Sequence, residues 1–71
     1  MEIVIDGFYI ETQIIDNTVY VYISRGNCRS KLSSVEVSGV IESDNHEIIT
    51  VPWYIVEYAQ DLENMTYDAF F

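Results

Sequence analysis

Glu57, Asp61 and Asp68 are the side chains whose types and spacing point most directly to a chemical task. On a helix, residues four apart stand about 6 Å apart along the axis, close to the spacing of successive phosphates on a nucleic-acid strand. Such a row can occupy phosphate-binding positions on a basic protein surface. The same pattern also suits a plain solvated helix face. Glu42, Asp44 and Glu47, together with Glu36, could extend the row from the preceding segment. Glu11, Tyr20 and Tyr22 form a competing surface, because tyrosines beside carboxylates offer rigid contact area and a platform for arginine.

Enzyme chemistry has thinner support. His46 is the one histidine and falls in a turn-like stretch, Ser43-Asp44-Asn45-His46, where solvent exposure is the expected state. Cys28 sits among Arg25, Arg29 and Lys31, a setting that favours a thiolate, but no partner residue for catalysis is visible near it. The three glycines are isolated, so no phosphate-cradling loop is present, and the acidic stretch around Asp44 lacks the spacing of a calcium loop. The reading is non-enzymatic, with no cofactor and no metal expected.

All three Lys and Arg lie between Arg25 and Lys31, against twelve Asp and Glu, for a net charge of −9 on 71 residues. The chain is nevertheless 49% hydrophobic, which separates it from disordered acidic tails. One small acidic domain spanning 1–71 is expected. Its charge disfavours direct binding to nucleic acid or to an anionic membrane. A lone cysteine, no leader-like N-terminus and no apolar run of membrane-spanning length together suggest a cytoplasmic protein, in the host cytoplasm if a phage encodes it.

The elements that must position these residues begin with strands. Ile3–Ile5 precede Asp6-Gly7, and residues 8–15 precede Asp16-Asn17; both dipeptides suit tight hairpin turns. An Asp16-Asn17 turn places Ile14 opposite Val19, Thr12 opposite Val21 and Ile10 opposite Ile23 on one apolar face with Phe8. Glu11 then meets Tyr22 and Gln13 meets Tyr20 on the other face. A tight turn at Asp6-Gly7 would oppose Glu2 to Glu11, so a bulge at Gly7 competes with it. Residues 26–34 read as a loop, 35–42 as a fourth strand and 47–51 as a fifth.

Pro52 suits the first position of a helix that runs from Trp53 to about Met65, with Ile55, Ala59, Leu62 and Met65 or Thr66 as its apolar stripe. Asn64 or Thr66 could end it. Tyr54 or Tyr58 is expected in the core with Trp53, and Phe70 or Phe71 is expected to dock on the domain or on a second copy. The fold class is α+β: an antiparallel sheet of four to five strands, built from hairpins, packed against one C-terminal helix.

These features favour a small acidic inhibitor or adaptor that binds a basic, nucleic-acid-binding protein by charge mimicry, as a monomer or homodimer. In size, charge and aromatic content the chain resembles the small acidic nucleic-acid mimics that phages and mobile elements direct against host defence nucleases, such as anti-CRISPR and anti-restriction proteins. That resemblance implies occlusion of a basic surface and covers no diagnostic motif. An immunity or antitoxin protein that neutralises a basic toxin needs the same surface. A small homo-oligomeric domain, joined through a strand edge or the Phe70-Phe71 tail, is the structural alternative.

Overall fold

A computed structural model describes residues 2–71. Four strands open the chain: β1 (Glu2–Ile5), β2 (Phe8–Ile15), β3 (Thr18–Arg25) and β4 (Cys28–Lys31). They form an antiparallel meander in the order β1-β2-β3-β4. Two-residue turns connect them, and each turn has the backbone its residues favour. Asp6 and Gly7 have φ of 50° and 82°, and Asp16 and Asn17 have φ of 50° and 63°. Positive φ at both positions matches the twist of the flanking strands.

The β2–β3 register follows the sequence reading, with Ile14 opposite Val19, Thr12 opposite Val21 and Ile10 opposite Ile23. The Asp6-Gly7 turn is tight, without a bulge, and Glu2 does stand opposite Glu11. Each carboxylate has its own partner. Tyr9 donates its hydroxyl to Glu2, while Arg29 Nη2 donates to Glu11 Oε1 at 3.0 Å. The opposed charges are thus each offset by a neighbour on the same face.

Residues 26–34 do not form a loop. Gly26, with φ of 59°, and Asn27 make a third hairpin turn, and Arg25 faces Cys28 across it. Cys28 points inward and is 2% exposed, whereas Arg29 and Lys31 face solvent, so β4 alternates like the other strands. The expected fourth strand over 35–42 is also replaced. Helix α1 (Leu32–Ser38) buries Leu32 and Val35, and Gly39 ends it in the left-handed conformation with φ of 73°. The Gly39 N–H returns to the Val35 carbonyl at 2.7 Å, satisfying an end-of-helix acceptor.

Only Val40–Glu42 of that segment is extended; as β5 it pairs with β6 (Ile48–Thr50) in a separate two-stranded sheet. Ser43 closes the connecting turn, its Oγ accepting the Glu47 N–H at 3.1 Å. The Glu42 N–H donates to Ser30 Oγ at 3.1 Å, which ties the small sheet to the β4 side of the large one.

Pro52 precedes the last helix in an extended conformation, with ψ of 145°, so it caps the helix rather than occupying its first turn. Helix α2 then runs from Trp53 to Phe70, past both Asn64 and Thr66. Ile55, Val56, Ala59, Leu62 and Thr66 are its buried residues, while Met65 remains 58% exposed. Thr66 tolerates burial because its Oγ1 donates to the Leu62 carbonyl at 2.7 Å. Ala59 has no exposed surface, which brings the helix backbone close to the apolar sheet face formed by Phe8, Ile10, Val21 and Ile23. The resulting class is α+β, with a four-stranded sheet, a second small sheet and a C-terminal helix on one core. Among the described residues no helix is long and apolar enough to cross a membrane.

Candidate partner-binding site

The solvent face of the large sheet carries Tyr9, Glu11, Tyr20 and Tyr22, because β2 and β3 alternate and their other face is buried. β4 adds Arg29 and Lys31 to that same face. The Arg29 guanidinium carbon lies 3.9 Å from the centroid of the Tyr22 ring, and Lys31 Nζ lies 5.5 Å from that of Tyr20. Arg25, the remaining cation, sits 5.0 Å from the centroid of Phe8. Every Lys and Arg of the chain therefore rests against one of its own aromatic rings, a favourable placement for a cation over a π face.

This arrangement changes the standing of Glu11, Tyr20 and Tyr22. Tyr22 and Tyr20 already hold the chain's own cations, and Glu11 is already paired with Arg29 and accepts a longer bond from Gln13 at 3.5 Å. Tyr9 is engaged as well: its hydrogen bond to Glu2, then burial and the charges of Glu2 and Glu11, push its hydroxyl up to about 12. The surface is a neutralised network rather than an open platform. The alternation of Cys28, Arg29, Ser30 and Lys31 behind a Gly-Asn dipeptide is the sequence signal that would have placed these cations on the sheet.

Glu42, Asp44 and Glu47 lie on the β5–β6 hairpin and are exposed. Glu42 and Asp44 line a shallow cleft of about 380 Å³ with Tyr22, Arg29 and Lys31, so they face the basic side of the sheet. Glu42 Oε1 also lies 3.6 Å from Nδ1 of the exposed His46. These acids do not extend the α2 row. Glu36 does approach α2, accepting from Gln60 Nε2 at 3.1 Å. Nearby Glu63 is held above the usual carboxylate range by burial and by the charge of Glu36.

Glu57, Asp61 and Asp68 remain. At about 100° per residue they fall within roughly 40° of one line along α2, opposite the buried stripe. All three are exposed, and none has a hydrogen-bond or ion-pair partner among the described residues. Glu57 and Asp61 lie on the helix the sequence predicts, and the continuation of that helix to Phe70 is what adds Asp68 to the row.

The aromatic residues beside this row depart from expectation. Trp53, Tyr54 and Tyr58 are 64%, 45% and 51% exposed, so none forms the core under the helix. Ile55, Val56 and Ala59 fill that space, and the close helix–sheet approach leaves no room for a ring. Tyr54 donates instead to Asp6 across the first turn, which raises its own pKa. Phe70 and Phe71 are also exposed; Phe71 packs on Tyr67 within the helix end, with centroids 5.7 Å apart, and neither docks on the domain. By helical position Trp53 lies about 40° to one side of Glu57, toward Tyr67, while Tyr54 and Tyr58 lie on the other side beyond Asp61.

No family model, no curated protein and no solved structure matches this chain. The functional reading therefore rests on the surface itself. Cys28, one of the two residues weighed for chemistry, is buried and its Sγ donates to the Glu47 carbonyl at 3.5 Å. His46 stands exposed in a left-handed turn position with φ of 64°. Cys28 is thus shielded from solvent while His46 stands open to it. They form no shared reactive centre.

Proposed function

We propose that this protein is a small non-enzymatic inhibitor or adaptor that docks the exposed face of α2 on a basic protein surface built to bind nucleic acid. Carboxylates at 57, 61 and 68 take positions that phosphates would occupy, and the neighbouring aromatic residues add short-range contact area. Long-range attraction from a net charge of −9 speeds association with a positive target. A defence nuclease of a host cell is the type of target such a surface suits. The observation that carries the reading is the lack of any ion-pair partner for Glu57, Asp61 and Asp68 among the described residues, while all three cations of the chain are held elsewhere.

Affinity capture from host lysate with the wild-type protein and with Glu57→Lys/Asp61→Lys/Asp68→Lys tests this. The expected result is retention of nucleic-acid-binding proteins that duplex DNA or RNA displaces competitively, and loss of that retention in the variant. Retention that survives both the charge reversal and the nucleic-acid competitor overturns the reading. A basic toxin as the retained partner would assign the same face to an immunity role. Exposed Phe70 and Phe71 favour self-association as the second reading, which sizing of wild-type and Phe70→Ser/Phe71→Ser protein distinguishes.

A further inference from the structure

The two ends of the large sheet are treated differently. β4 lies beside the small sheet and is tied to it through Ser30 and Cys28. β1 is the outer strand at the other end, with no hydrogen-bonded neighbour beyond it among the described residues. Edge strands usually carry a lysine, a proline or a bulge that blocks further pairing. Glu2–Ile5 carries none of the three and is guarded only by its length of four residues and the charge of Glu2, while Ile3 and Val4 are 39% and 66% exposed.

The main-chain groups available on that edge follow from the register. The Asp6-Gly7 turn closes on Ile5 and Phe8, a pair that exchanges both main-chain hydrogen bonds. Alternation then turns the N–H and C=O of Val4, and of Glu2, away from β2 and toward solvent. Beside this edge, on the core side of the sheet, Glu2 and Ile3 line a groove of about 360 Å³ with Tyr58, Asp61, Leu62 and Met65 of α2. Its floor and walls are mostly apolar; Asp61 is the carboxylate on the helix side, and Glu2 borders it from β1, its side chain turned to the solvent face with Glu11. No Lys or Arg of this chain lines it.

We infer that this groove and the free edge of β1 receive an extended segment of the partner protein in which apolar and basic residues alternate. The segment adds as a strand to β1 and bonds the outward N–H and C=O of Val4. Its alternate apolar side chains enter the space between Ile3, Leu62 and Met65. The intervening lysines or arginines face the opposite side, next to Glu2, and a cation at the groove mouth meets Asp61. Charge selects this occupant over a second copy of the chain. Pairing β1 with another β1 would bring two Glu2 and two Asp61 side chains into one interface between molecules that each carry −9.

This inference rests on the reading of the protein as an acidic binder, and specifies the shape of what it binds. An acetylated and amidated octapeptide of alternating lysine and valine serves as the probe, followed by amide chemical-shift perturbation and hydrogen exchange. The expected result is perturbation at residues 2–5 and along 58–65, with slowed exchange of the Val4 amide. Val4→Pro removes the outward N–H while leaving the β1–β2 ladder and every carboxylate in place. It should weaken probe binding by about tenfold or more. Should Val4→Pro fail to fold, the same peptide N-methylated at alternate residues makes the comparison against wild-type protein.

Equal binding of the probe by a folded Val4→Pro variant, equal binding of the N-methylated peptide, or no binding at all overturns strand addition. So does a dimer in sedimentation that Val4→Pro abolishes, because a second copy would then own the edge. Each of these results leaves the lysate capture by Glu57, Asp61 and Asp68 intact as a separate measurement. Conversely, loss of dependence on those helix acids would sink the mimicry reading while the Val4→Pro comparison still decides the groove.

Discussion

Arg29 stacks on Tyr22 with its guanidinium carbon 3.9 Å from the ring centroid, and the same group donates to Glu11 on the far side of β3 at 3.0 Å. One side chain thus covers an aromatic platform and neutralises a carboxylate that stands opposite another, Glu2. Together with the Tyr9 hydroxyl on Glu2, this contact explains how the sheet tolerates its like-charge pair. It also separates the two acidic surfaces, leaving α2 as the one without compensation.

Replacing Arg29 tests that role directly. Arg29→Ala should lower stability by about 1 kcal/mol, since it removes a partly exposed ion pair and a cation over a ring. Thermal unfolding measures the loss. Adding Glu2→Gln to the Arg29→Ala protein should recover part of it, because the opposed carboxylates are then reduced to one. A double variant no more stable than Arg29→Ala would show that the stack on Tyr22 carries the whole effect.

Glu63 introduces a pH dependence of definite sign. Its folded-state pKa is raised by burial and then by the Glu36 charge, so the folded protein binds this proton more readily than the unfolded chain does. Stability therefore falls as pH rises from the ordinary glutamate range through the higher folded value. Glu63→Gln should melt a few degrees higher than wild type at neutral pH. The gap should close as pH drops below the glutamate range, where both proteins carry a neutral group. A gap that stays constant with pH would assign the effect to packing instead.

Gly39 makes a purely conformational prediction. It has φ of 73°, and a Cβ built there would meet no atom within 4 Å. Gly39→Ala should cost about 1 kcal/mol by placing an L side chain in the left-handed region, whereas Gly39→Asn should cost distinctly less. Denaturant unfolding of the two variants compares them. Equal losses would indicate that the end of α1 does not depend on the backbone conformation of that residue.

The legible parts of the fold share a physical feature: local chemistry and face composition agreed. Asp6-Gly7 and Asp16-Asn17 accept positive φ, and counting outward from the second turn sorts apolar from polar side chains without conflict. The stripe of Ile55, Ala59 and Leu62 was similarly readable from its spacing. The segment 26–42 was not, because two signals competed. Arg29, Ser30 and Lys31 look like a polar loop until they are counted as alternating positions behind Gly26-Asn27. Val35, Val37 and Val40 look like a strand by type, yet burial of Leu32 and Val35 against the core holds residues 32–38 as a helix and leaves Val37 90% exposed.

The candidate site divides along the same boundary. The sequence alone determined the excess of carboxylates, the confinement of every cation to residues 25–31 and the spacing that aligns Glu57 and Asp61 on one helix face, which Asp68 joins because the helix runs on to Phe70. Those are properties of composition and of helical period. Only the tertiary structure decided that the cations fold back over Phe8, Tyr20 and Tyr22, that Trp53 and Tyr58 stay outside, and that β1 ends the sheet beside an acidic, apolar groove. Stacking of three successive hairpins into one sheet, which brings β4 across β3 to the side chains of β2, and close approach of α2 at Ala59 set these outcomes, and neither is encoded in any single local run of residues.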